Sequence, residues 1–443
     1  MERMLVEALR AGFVGMSSQQ LLFDKLDGDV CRSRTLPSTY AKPRELRRLK
    51  SLLRRSNRVL QSGPDIQNPL NLLSQAAQSL GVVRNPLKTS LLSAADVKSN
   101  PVAVNVLGPL ARLVNSLGGN FRWQHLPVPF EVYADGIDLV VFEEFGAGAA
   151  ALHLRDEVER NELMRDEGYR RRFRKDYDSR FGMRVWHRDF FDAEIVACPD
   201  RSVVGKSFGE VGRLRGGLHP VDAFLDLVLE HGRALRWRTT ISNHRPEVLK
   251  KLARDPGIQM GFSDAGAHLR NMAFYNMGLR LLRHVRDAEL AGTPFMTIEQ
   301  AVHRLTGELG DWYRIDAGHL RLGDRADVVV LDPRRLDASL DHYAEEPVSQ
   351  YGGLSRMVNR NDETVSAVLV GGRPVYLDGA LTPAVGSERT GKFLRAAHKA
   401  PAPPTRQGTG KATAGAVASG AAPTGAAPTG AAASGKEALA HVN

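Results

Sequence analysis

Five short apolar segments, each closing on a polar or Gly/Pro-marked loop, punctuate the chain up to residue 264: GFVGMSS (12–18), NRVLQSGPD (57–65), GVVRNPLKTSLLS (81–93), NFRWQHLPVPF (120–130) and IQMGFSD (258–264). Helical-looking stretches precede the later ones. Strand, polar loop, helix and strand again is the rhythm of βα units, because parallel strands can be joined only by a long crossover. A parallel α/β sheet is the fold class this rhythm predicts. A length of 443 residues suits one large α/β domain with additions, or more than one domain.

Composition narrows the setting. The two cysteines, Cys31 and Cys198, are far apart and have no CxxC partner, which excludes a disulfide framework and points to a reducing cytoplasm. No apolar run approaches the roughly 20 residues that cross a bilayer, so no membrane association is expected. The opening, MERMLVEALRAGFVGM, reads as an amphipathic helix running straight into a strand. A formal charge of +10 raises nucleic acid as a partner. Much of it sits in RELRRLKSLLRRSNR (44–58), where Leu46, Leu49, Leu52 and Leu53 recur at helical spacing. The arginines then form the wet face of an amphipathic helix, and without interleaved aromatics nucleic acid is not expected. The segment 153–180 carries nine basic and eight acidic residues and is expected to be a solvent-laced helical excursion. The Ala/Gly/Pro/Thr/Ser-rich stretch 399–443, with its near-repeat GAAPTGAAPTGAAASG, holds too few large apolar residues to offset the entropy of ordering and is expected to be disordered.

After residue 315 the pattern changes. GHLRLGDRADVVVLDP (318–333) leads into an expected buried strand, Val328 to Leu331. VSAVLVGGRPVYLDG (365–379) reads as two strands around a Gly371–Gly372 turn. A small β domain is expected over 316–390.

Taken together, GHLRLGDRADVVVLDP with VLVGGRPVYLDGALT resembles the C-terminal β-sandwich of the amidohydrolase superfamily. GFSDAGAHL with TIEQAVHRLTGELGDWYRI resembles the last barrel strand and closing helices of its N-acyl-D-amino-acid deacylase (D-aminoacylase) branch. GKSFGEVGRLRGGLHPVDAFLDLVLEHG (205–232) is similar to the region before that strand. The resemblance implies a (β/α)8 TIM-barrel-type, metal-dependent hydrolase fold over 1–315, a β-sandwich over 316–390, and hydrolysis of a small-molecule amide C–N bond. It implies a divalent metal, zinc first, that lowers the pKa of a bound water. It also implies a carboxylate at the end of the eighth strand that moves the proton.

The residue matching that carboxylate is Asp264, expected as catalytic group and metal contact. Ile258, Met260 and Phe262 share one parity that Asp264 continues, so a strand facing the barrel interior would deliver it to the mouth. The competing reading is an Asp that caps a helix. His268, four residues on, is a substrate-binding candidate that would face back to Asp264. His244 (in ISNHRPEV) and Arg270 are further substrate-binding candidates, Arg270 for a carboxylate, with Arg245 and Lys206 as other cations and His125 as a weaker ligand candidate. The chain departs from the resemblance in having no His-x-His pair, and the strands ending QSGPD and KTSLLS carry no histidine. The metal's ligand set is therefore incomplete. The barrel is expected to lack its first strands, as in a truncated form of a longer enzyme. The alternative function is a catalytically silent binding protein on the same fold.

Overall fold

The structure, a computed structural model, describes residues 1–20, 25–26, 30–31, 34–64, 69–82, 84–179, 184–349 and 352–396; the expected disordered tail at 399–443 lies outside them. Each of the five segments contributes one strand to a single parallel sheet: β1 (Gly15–Gln19), β2 (Val59–Gly63), β3 (Lys88–Leu91), β4 (Asn120–His125) and, much later in the chain, β8 (Ile258–Met260). The order is β1-β2-β3-β4-β8 and every pairing is parallel. A closed eight-stranded barrel is not formed by the described residues. The chain between β4 and β8 builds a separate antiparallel sheet instead of further barrel strands.

The sheet has two unlike faces. Leu91, Phe121, Trp123, Ile258 and Met260 share a core with α3 (Pro69–Ser79), α4 (Val104–Ser116), α10 (Pro246–Arg254), α11 (Met277–Leu290) and α12 (Ile298–Leu305). Towards β1, residues of α1 (Glu2–Ala11) and α2 (Pro43–Arg55) close the same side with Leu5, Leu9, Leu49 and Leu53. In α2, Leu49 and Leu53 are buried and Arg44, Arg47, Arg48 and Arg55 are exposed, the amphipathic face read from the sequence. Arg54 departs from it, being buried with Nη1 donating to the carbonyls of Leu80 (3.0 Å) and Asn85 (2.6 Å).

The other face is polar. Ser90 Oγ receives Gln124 Nε2 at 2.9 Å and Gln259 Nε2 at 3.0 Å, and Gln259 also meets the Tyr313 hydroxyl at 3.0 Å. Helix α13 (Gly307–Tyr313) covers this side, with Arg122 paired to Glu308 at 2.8 Å. This corrects the parity argument for Asp264. Ile258 and Met260 face the helices, Gln259 faces the polar side, and the strand ends at Met260, so alternation does not carry through to residue 264.

The excursion after β4 holds β5 (Phe130–Asp135), β6 (Ala193–Ala197) and β7 (Arg236–Ser242), paired antiparallel in the order β5-β7-β6. Around it lie α5 (Gly146–His153), α6 (Glu157–Arg165), α7 (Glu167–Asp178), α8 (Phe208–Leu214) and α9 (Pro220–His231). Their shared core is aromatic: Phe190 stacks on Phe224 at 4.7 Å, and Trp237 meets Phe224 edge-on at 5.9 Å. The charged segment is thus helical but not merely solvated. Met164, Tyr169 and Phe173 are fully buried in this core, because one stripe of α6 and α7 is apolar.

Beyond α13, β9 (Val328–Leu331), β12 (Val365–Val370), β13 (Arg373–Leu377) and β14 (Ala380–Leu381) form an antiparallel sheet in the order β14-β13-β12-β9. Val370 pairs with Arg373 across Gly371 and Gly372, whose φ of 60° and 81° give the two-residue turn expected from the sequence. The expected burial of β9 does not hold: it is an edge strand, and Val329 and Val330 are 55% and 46% exposed. A two-stranded ribbon, β10 (Ala344–Val348) with β11 (Leu354–Val358), buries Met357 against Tyr133 and Ala273. No helix among the described residues is long and apolar enough to cross a membrane.

Candidate active site

Parallel strands present their C-terminal ends at one edge, and β8 leaves that edge through GFSDAGAHL. Gly261 N–H donates to the His125 carbonyl at 3.2 Å, and its φ of 144° is one that only glycine takes readily. Phe262 packs on Phe130, with ring centroids 6.0 Å apart. Asp264 then sits at φ 55°, in the left-handed region, and its carbonyl accepts the Ala267 N–H at 3.1 Å. The Tyr275 hydroxyl anchors the Ala265 carbonyl at 3.0 Å. Asp264 caps no helix: a capping residue is extended, and the next helix, α11, starts at Met277.

The Asp264 carboxylate is 41% exposed and lies 3.5 Å from His268 Nε2, its only ion-pair partner among the described residues. The two meet across a turn rather than along a helix. A carboxylate reachable from solvent and held by an imidazole can take a proton from water and return it to a departing group.

The other sequence candidates are held by other partners. His244 follows β7, with Nδ1 3.9 Å from Asp96; burial, opposed by Asp96, lowers its pKa. Arg245 clamps the same Asp96, with Nε donating at 2.8 Å and Nη2 to the second oxygen. Arg270 is not free for a substrate carboxylate: Nε and Nη2 bind Asp135 at 2.8 and 3.0 Å, and Nη1 binds Glu345 at 2.5 Å. Lys206 Nζ donates to the Ser202 carbonyl at 2.6 Å. His125, at the end of β4, is fully buried with Nδ1 2.7 Å from the Ala94 carbonyl, and burial pushes its pKa down to about 4.

Asp96 was not singled out in the sequence. It is fully buried on the loop after β3, and it exchanges backbone and side-chain bonds with Asn243 at 2.9 Å each. Asn243 has φ 61° and also reaches the Leu126 carbonyl, so it ties the ends of β3, β4 and β7 together. The signal available was an Asn at a strand end, a residue that tolerates the left-handed region.

The divalent metal expected from the resemblance needs at least three converging donors. Among the described residues no three His, Cys, Asp or Glu side chains converge into a group able to hold a metal ion. The Asp264–His268 pair supplies two donors, so these residues do not fit the metal and no step is derived through it.

No family model matches the chain. It is 56% identical over 406 residues to uncharacterized proteins of Mycobacterium tuberculosis (Rv2913c, strain ATCC 25618 / H37Rv) and Mycobacterium bovis (Mb2937c, strain ATCC BAA-935 / AF2122/97). The match takes in 89% of this chain and 66% of theirs, so the chain spans just under two thirds of the length of these curated relatives. Among solved structures it is similar to an N-acyl-D-glutamate deacylase of Bordetella bronchiseptica, complexed with zinc and a phosphonate inhibitor. The TM-score there is 0.49 at 18% identity, over 89% of this chain and 65% of that one. A D-aminoacylase is similar with a TM-score of 0.47 at 14% identity, over 88% and 64%.

Proposed function

We propose that this chain belongs to an amidohydrolase of the N-acyl-D-amino-acid deacylase type, hydrolysing the amide C–N bond of a small acylated amine, with Asp264 as the proton-moving group. The observation that carries the reading is the placement of Asp264. A half-exposed carboxylate stands just beyond the C-terminal end of a parallel strand, on the GFSDAGAHL segment that carries the sequence resemblance, with His268 at 3.5 Å. Asp264 takes the proton of the attacking water and delivers it to the leaving nitrogen, while His268 keeps the carboxylate oriented. Replacing a group in that role costs about 10²–10⁴-fold in rate. His268→Ala is expected to lower kcat by less than Asp264→Asn does, because it changes the orientation of the carboxylate and leaves the carboxylate itself in place. Steady-state rates on a panel of N-acyl-D- and N-acyl-L-amino acids test this. Equal activity in wild type and Asp264→Asn would overturn the assignment, and no hydrolysis by the wild type would favour the silent binding protein.

A further inference from the structure

At the opposite edge of the parallel sheet, where strands begin, three basic side chains are buried together. Arg58 directly precedes β2 and is 1% exposed, Lys88 opens β3 at 8%, and Arg314 follows α13 at 6%. Val59 and Lys88 are register partners, so Arg58, one residue before β2, comes just ahead of the level of Lys88 on the neighbouring segment. Lys88 Nζ donates to the Trp312 carbonyl at 2.6 Å and lies 5.7 Å from the centre of that indole, which brings it beside Arg314 two residues on. Arg58 Nη2 donates to the Ala396 carbonyl at 2.8 Å. Burial first, then the charges of Arg314, Arg122 and Arg58, push Lys88 down to about 8, and Arg314 likewise adds to the lowering at Arg58. The three charges are therefore close enough to repel one another.

Among the described residues, little negative charge stands against Lys88 and Arg314. Glu308 is engaged by Arg122 at 2.8 Å and Arg304 at 3.4 Å. Among the described residues neither Lys88 nor Arg314 has an ion-pair partner, and Arg314 Nε and Nη2 are buried with no hydrogen-bond partner. A lysine can escape such a position by losing its proton, but an arginine cannot, and a buried unpaired guanidinium is costly.

We propose that Arg314, with Lys88 and Arg58, holds a small inorganic oxyanion such as phosphate or sulfate at this N-terminal edge of the sheet. A tetrahedral oxyanion offers acceptors to guanidinium forks and an ammonium at once, and charge-assisted bonds of this kind are the strong ones. The site is at the far end of the strands from Asp264, so its ligand stabilises the fold and is not the substrate.

The test is thermal unfolding and titration calorimetry of the full chain with sodium phosphate, against sodium chloride at equal ionic strength. The expected result is one phosphate per chain and a rise in Tm that saturates at about 3 °C or more, as a ligand bound only by the folded state gives. Arg314→Gln should weaken phosphate at least tenfold and remove the saturating rise. Lys88→Gln, a second route should Arg314→Gln fail to fold, should weaken it as well. Affinity in the wild type should fall as pH rises through about 8, where Lys88 loses its charge. A Tm that follows ionic strength alone, a rise that never saturates, or undiminished binding in both variants would overturn the proposal.

Discussion

Glu144 shows how one buried group sets a pH dependence. It accepts the backbone N–H groups of Val185 (3.1 Å) and Trp186 (3.3 Å), yet burial outweighs these bonds and the Arg188 charge and pushes its carboxyl up from 4.5 to about 7. Between those values the folded chain holds a proton that the unfolded chain has released. The contribution is fully present below pH 4.5 and is lost as pH rises through 7, a change of about 3 kcal/mol at most. Glu144→Gln keeps an acceptor without the charge, so its stability should decline less than that of the wild type between pH 5 and pH 8. Urea midpoints at the two pH values measure this, and parallel declines would contradict it. Asp264 is the opposite kind of residue. It is half exposed in a left-handed turn, which suits the proton-moving role proposed for it.

At the scale of elements, one ion cluster joins β5, β7, the loop after β8 and the β10–β11 ribbon. Asp135 receives Arg236 at 2.6 Å and Arg270 at 2.8 Å, and both arginines also bind Glu345. Asp135 and Arg236 are buried, so Asp135→Ala leaves two cations short of a partner and should cost about 3–5 kcal/mol in denaturant unfolding. A loss below 1 kcal/mol would show that the cluster is solvated. None of this was legible in the sequence, where Arg270 and Asp135 stand far apart and Arg270 reads as a free cation. The five parallel strands were legible, because each is a short apolar run ended by a polar loop. The inward face of β8 was not. In a three-residue strand buried on both sides, alternation cannot say which face meets the helices, and Gln259 rather than Ile258 took the polar side. The aromatic core of the excursion was hidden for a related reason: Met164, Tyr169 and Phe173 are spread through a segment whose charges dominate its reading.

At the scale of the molecule, the two ends of the parallel sheet present different side chains. The C-terminal edge carries Asp264 and His268, and the N-terminal edge gathers Arg58, Lys88 and Arg314. The helices on one face and α13 on the other hold the strands between. The hairpin at Gly371–Gly372 could be read from turn chemistry alone, whereas the exposure of β9 depends on what stands beside it, which no local pattern encodes. We propose that Asp264 moves the proton in amide hydrolysis. The most direct test is the rate of N-acyl-D-amino acid hydrolysis by the wild type and by Asp264→Asn, with matched unfolding curves. Measurable turnover is expected in the wild type, with a loss of about 10²–10⁴-fold in the variant at unchanged stability. Turnover that survives the substitution would contradict it.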